Sequence, residues 1–194
     1  MKNLKKLLIT ILFFVSIGIN YAVSKDYDVI IYGATPSGIA AAVNAAREGV
    51  SVALFEETDY VGGLTASGLS NTDFNSFESL GGTWQEFMNR VEQHYIETYG
   101  PNSQQVKDSW RGAFYEPKVA NKVFLDMIKE QDNLDLILKH RLVSANTKLL
   151  NANNTKLTSI RLKDLKNDQL KEYGAKVFID ASYEGDLMAK SGIS

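Results

Sequence analysis

The chain has 194 residues, about one domain or slightly more. It is 44% apolar and 23% charged with a net charge of −2, which excludes a disordered chain, a collagen-like repeat and a basic nucleic-acid-binding surface. It has no cysteine and only two histidines, His94 and His140, which removes disulfides, cysteine-ligated zinc, iron–sulfur clusters, thiol catalysis and a multi-histidine metal site, so no metal is expected.

The first 24 residues read as an address. Lys2, Lys5 and Lys6 precede Leu7–Ile19, a 13-residue stretch without a charge. That is shorter than the ~20 residues a membrane span needs. Ala22 and Ser24 are the small residues expected before a cut after Ser24. The pattern is that of a Sec-type signal peptide, which implies a periplasmic or secreted protein with no stable membrane span after cleavage. The leader carries three lysines and no acid, so its loss takes the charge from −2 to −5. Residues 25–194 are then the folded domain.

Asp26–Gly33 (DYDVIIYG) is an apolar run ending in glycine, a buried strand. Pro36–Glu48 reads as a helix, with Thr35 at the N-cap, Pro36 in the first turn and Gly49 at the stop. Val50–Phe55 is a second buried strand. Strand, helix and strand within ~30 residues make a βαβ unit with parallel strands. Asp59–Gly82 is rich in Gly, Ser, Asn and Thr and reads as an ordered loop. Thr83–Tyr99 is helical, its stripe of Trp84, Phe87, Met88, Val91 and Tyr95 facing the core. Pro101–Gly112 is polar and reads as loop. Pro117–Gln131 is a further helix and Leu134–Leu138 a third strand. Leu142–Leu150, Leu157–Leu165 and Leu170–Val177 alternate apolar and polar residues, as a three-stranded antiparallel meander does. Val177–Asp180 reads as another buried parallel strand. His140, between Lys139 and Arg141, is expected at the surface, and His94 on a helix surface or satisfied in the core.

The chemistry is concentrated in Gly33-Ala34-Thr35-Pro36-Ser37-Gly38. This turn follows a strand and opens a helix, where free backbone N–H groups and the helix dipole receive a pyrophosphate without a lysine. Gly33 permits the tight turn, and Gly38 lets the helix approach the sheet. Thr35 stands where the G-x-G-x-x-G pattern has its middle glycine. Its hydroxyl either caps the helix or bonds the phosphate. Glu56 follows the second strand, 18 residues beyond Gly38. An acid there accepts ribose hydroxyls and repels a 2′-phosphate, disfavouring NADP. Its neighbour Glu57 is expected to point away. Gly62 and Gly63, with Thr65 and Ser67 behind them, allow a second close approach of backbone to a dinucleotide.

The stretch DVIIYGATPSGIAAAVNAAREGVSVALFEETDYVGGLTASGL resembles the N-terminus of FAD-dependent oxidoreductases of the glutathione-reductase structural superfamily. GGTWQEF, YEPKVA and FIDASYEGDLMAK are similar to segments of the large exported bacterial members. The resemblance implies an α/β fold: a Rossmann-like FAD/NAD(P)-binding domain with a parallel sheet and a three-stranded antiparallel β-meander crossover. It implies FAD as cofactor, a small-molecule organic substrate and two-electron transfer. It also places Ala181 and Ser182 beside the cofactor, with Tyr183 where such proteins have a glycine, and the backbone of Val143 against the adenine. Members of the group are longer, so the chain is expected to be the N-terminal part of such a protein, and no catalytic residue is named by these motifs. The competing readings are an NAD-binding domain on the same fold and a cofactor-free exported module that binds carbohydrate or protein.

Overall fold

The computed structural model describes residues 25–151 and 154–192. The leader expected over residues 1–24 lies outside the described residues. Six strands form one sheet in the order β3-β2-β1-β6-β5-β4. They are β1 (Tyr27–Tyr32), β2 (Val52–Phe55), β3 (Leu134–Ile137), β4 (His140–Asn151), β5 (Asn154–Asp164) and β6 (Leu170–Asp180). The helices are α1 (Pro36–Arg47), α2 (Gly63–Ser67), α3 (Gly82–Tyr99), α4 (Gln104–Asp108), α5 (Pro117–Lys129) and α6 (Asp186–Lys190).

β1 pairs in parallel with β2 and β6, and β2 with β3, as the βαβ pattern requires. The continuous apolar run of β1 and β2 has a direct cause. Val29, Ile31, Val52 and Leu54 face one core, formed with α1, α3 and α5. Ile30, Tyr32, Ala53 and Phe55 face a second core, formed with Leu142, Ile160, Leu162 and Tyr173 of the meander. Helices cover one face of the sheet and the meander covers the other, so neither face of these strands can be polar.

The helical core is built from stacked rings. Phe87 of α3 is fully buried, with Trp84 at 4.9 Å and Phe124 of α5 at 4.4 Å between centroids. The predicted apolar stripe of α3 therefore does face the core. Above it, Arg47 of α1, Glu86 and Arg90 of α3 and Glu130 after α5 form a chain of ion pairs at 2.8, 2.8 and 2.5 Å. Hydrogen bonds from Arg47 and then Arg90 hold the Glu86 carboxyl at about 2, below its ordinary 4.5. A depressed folded-state pKa contributes stability that is present above the unfolded value and lost as pH falls through the folded one. Glu86→Gln is therefore expected to give a lower thermal midpoint at neutral pH. The midpoint should also fall less between about pH 5 and about pH 3 than in the native chain. An acid limb of unchanged steepness would contradict this.

Four expectations change in the structure. The meander's last strand and the parallel strand predicted at Val177–Asp180 are one strand. β6 pairs with β5 through Leu170–Gly174 and with β1 through Ala175–Asp180. Val177 is 51% exposed rather than buried, although Phe178 and Ile179 beyond it pack against the two cores. The loops expected at 59–82 and 101–112 contain the short helices α2 and α4 and a 3₁₀ turn at Phe77–Ser79. His140 is buried, not at the surface: its ring lies 6.1 Å from Phe55, and Nδ1 is 2.9 Å from the Leu138 carbonyl oxygen. Burial follows from its backbone N–H, which donates to the Glu56 carbonyl and draws the start of β4 under the end of β2.

Candidate functional site

The C-terminal ends of β1, β2 and β6 converge on a cavity of about 370 Å³. A crevice outside the carboxyl ends of strands is where open α/β sheets take ligands. Its base is the turn from β1 into α1. Gly33 has φ +104, and a Cβ there would lie 2.7 Å from the Ala181 backbone. Gly38 is closed in more tightly, since a Cβ would drive into the Gly33 carbonyl oxygen. The two glycines thus hold α1, β1 and the end of β6 in mutual contact.

Thr35 resolves the departure from the glycine pattern. Its backbone is extended (φ −71, ψ 169), so a side chain is accommodated without strain. Thr35 is buried at the base of the cavity, which it helps to line. Oγ1 donates to the Ala181 carbonyl at 2.9 Å, accepts the Gly38 N–H at 3.3 Å and lies 2.9 Å from Ser37 Oγ. Of the two roles open to this hydroxyl, it caps the helix and also ties it to the strand beyond. Pro36 occupies the first turn, and the Ser37 N–H there has no intrahelical acceptor.

Glu56 stands at the other end. Oε2 accepts the Ala34 N–H at 2.9 Å, and Oε1 accepts the Thr58 N–H and hydroxyl at 2.9 and 3.0 Å. The acid after β2 therefore touches the glycine turn after β1, two motifs 22 residues apart in sequence. Glu57 does not simply point away. It pairs with Arg141 at 2.7 Å and still lines the outer cavity.

The remaining wall comes from two loops. Gly63, Leu64 and Ser67 form one side, and Ser182, Tyr183, Glu184 and Asp186 the other. Gly62 lies behind its neighbour, where a Cβ would press within 2.6 Å of the Phe124 ring. Thr65 is directed to Tyr115 rather than to the cavity. Ala34 and Ala181 are buried supports. Ser182 donates its hydroxyl to Asp180 Oδ1 at 2.6 Å and accepts the Asp186 N–H at 2.8 Å. Val143 does not line the cavity. It is 39% exposed and sits at a register shift between Leu142 and Ser144, so it is neither a core residue nor a paired one.

Sequence reasoning missed Tyr32 and Tyr60 as lining residues, while Tyr183, expected in the segment beside the cofactor, does line the cavity. The Tyr32 hydroxyl accepts the Leu142 N–H at 3.0 Å. Burial, with the carboxylates of Glu57, Asp186 and Glu56 nearby, pushes its phenol up to about 12, so it stays neutral. Glu56, Glu57, Glu184 and Asp186 line the cavity, and no lysine or arginine does among the described residues. An anionic ligand must therefore rely on backbone N–H groups and the α1 dipole. Among the described residues no group of His, Asp or Glu is placed to hold a metal, and no helix is long and apolar enough to cross a membrane.

A parallel sheet, a glycine turn opening a helix, and an acid at the end of the second strand define the class of dinucleotide-binding α/β proteins. The sequence model of the FAD dependent oxidoreductase family matches residues 28–194. The chain belongs to that family, and the cofactor is FAD. No curated protein matches it. Among solved structures, it is similar to THI4 of Thermovibrio ammonificans, with TM-score 0.55, 13% identity, and coverage of 97% of this chain and 68% of that one. It is also similar to the flavin-dependent monooxygenase PieE in complex with FAD and substrate (TM-score 0.54, 15% identity, 88% and 33% coverage). A third is the glycerol-3-phosphate dehydrogenase of Bacillus halodurans complexed with FAD (TM-score 0.51, 13% identity, 82% and 35% coverage). Across eight such solved chains, this chain spans 22 to 68% of their length.

Proposed function

We propose that this chain is the FAD-binding part of an exported flavoprotein oxidoreductase that moves two electrons between an organic substrate and FAD. The observation that carries the reading is the meeting of Glu56 with the Gly33–Gly38 turn at one cavity. The cavity fits the cofactor in kind. It offers a carboxylate for ribose hydroxyls, and a glycine turn where a Cβ at Gly33 or Gly38 would clash with backbone. It also offers backbone N–H groups in place of cations for a pyrophosphate.

Bound flavin supplies the two-electron carrier, and the protein supplies binding and orientation. In this reading the first turn of α1 holds the pyrophosphate, and Glu56 accepts the adenosine ribose. Gly63 and Ser67 on one wall and Ser182 on the other flank the rest. The four carboxylates repel a 2′-phosphate, so NADP is disfavoured. Export rests on the leader-like residues 1–24.

The test is the chain itself, purified with FAD present and then desalted. Its visible spectrum should show flavin, and acid should release FAD. A protein recovered outside the cytoplasm should begin at Lys25. Folded protein that retains no flavin would overturn the cofactor assignment to these residues, and released NAD would replace it with the nicotinamide reading.

A further inference from the structure

We propose that Tyr183 gates the cofactor groove, its phenol closing the cleft until FAD displaces it. The proposal rests on reading the cavity as the FAD site. Tyr183 follows β6 and is 58% exposed, yet its hydroxyl accepts the Leu64 N–H at 2.8 Å, from a residue 119 positions earlier. That single bond joins the two loop walls of the cavity. It forms only because residue 63 is glycine, since a Cβ there would land on the phenol oxygen, and Gly63 also has φ +48.

The wall that carries the phenol is otherwise locked. Asp180 accepts the Ser182 N–H and hydroxyl through Oδ1 and the Met188 N–H through Oδ2. The backbone on either side of Tyr183 is thus held, and the exposed side chain is the part free to rotate. A dinucleotide lying from Glu56 across the Gly33 turn towards Gly63 runs between these walls. The phenol must leave Leu64 for it to enter. The closed state then lowers the apparent affinity by the fraction of chains that are open.

The test uses the full chain and two readouts. Tyr183→Phe keeps the ring and removes the latch. FAD association, followed by flavin fluorescence, should become roughly three- to tenfold faster, the effect of one hydroxyl–amide hydrogen bond, with the dissociation rate unchanged. Without FAD, exchange protection of the Leu64 amide should drop in the variant by a similar factor. Equal association rates overturn the gate while leaving the site reading intact. A faster dissociation rate overturns it too, because it makes Tyr183 a direct ligand of bound cofactor. Undiminished Leu64 protection has the same effect. Folded native chain that takes up no FAD overturns the site reading and the gate with it.

Discussion

Glu56→Ala is expected to weaken FAD binding by roughly 10- to 100-fold, the effect of losing charge-assisted hydrogen bonds worth about 1.5–3 kcal/mol. A carboxylate has room for about four donors. Glu56 holds three of them within the protein, from Ala34 N–H and from the N–H and hydroxyl of Thr58. It can therefore receive a ribose hydroxyl without first releasing the turn. Alanine removes the ligand's acceptor and also unties the glycine turn from the end of β2. Glu56→Gln separates these roles. It keeps an acceptor oxygen but loses the charge, and should fall between alanine and the native chain. A fluorescence titration with FAD reads all three proteins, and thermal unfolding without FAD reads the structural share. Native affinity in Glu56→Ala would remove the ribose assignment.

Gly38→Ala should cost about 3 kcal/mol of stability, at the upper end for overpacking, because the added methyl meets backbone and not a side chain that can swing away. It would strike the Gly33 carbonyl oxygen and lie 3.0 Å from the Ala181 Cβ. Relief requires α1 to lift from β1 or the turn to open, and either movement disturbs the backbone N–H groups proposed to receive the pyrophosphate. Urea denaturation should show a lower midpoint, and FAD binding should weaken with it. Gly81→Ala is the control. Nothing lies within 4 Å of a Cβ there, and its backbone is extended (φ −158, ψ −174), so its effect should stay within about 1 kcal/mol, the cost of alanine at a helix N-cap. Equal stability losses in the two variants would show that close contact at Gly38 is not what matters.

The parts of this protein legible in its sequence are those decided within one βαβ unit. Val29–Ile31 and Val52–Leu54 read as buried strands because both faces are covered. Thr35, Pro36 and Gly49 mark the helix between them, which ends at Arg47. The Glu56 signal works because a fixed number of residues returns the chain to the same sheet edge. What the sequence did not reveal depends on partners brought together by the later chain. Thr35 is oriented by Ala181, 146 residues away. Tyr183 is defined by Leu64, and the burial of His140 by Phe55 and the end of β2. Alternation in Leu142–Leu150 marks a strand but cannot reveal the register shift that leaves Val143 unpaired, because a bulge is set by two strands at once. The single β6 was read as two strands for the same reason: its pattern changes where its neighbour changes from β5 to β1.

The pairing of β1 with β6 has a consequence for synthesis of the chain. β1 lies between β2 and β6, and the partners that close its second edge are residues 175–180. A ribosome adding about 5–20 residues per second needs on the order of ten seconds to make the chain between them. For that time Val29, Ile30 and Ile31 present an unpaired, apolar edge, a template on which other nascent chains can assemble. Slow codons placed between β5 and the end of β6 would prolong that interval. In a chain begun at Lys25, which folds where it is made, yield of soluble protein should therefore respond to translation speed over residues 165–180 more than to equal changes over residues 82–99, where α3 forms locally.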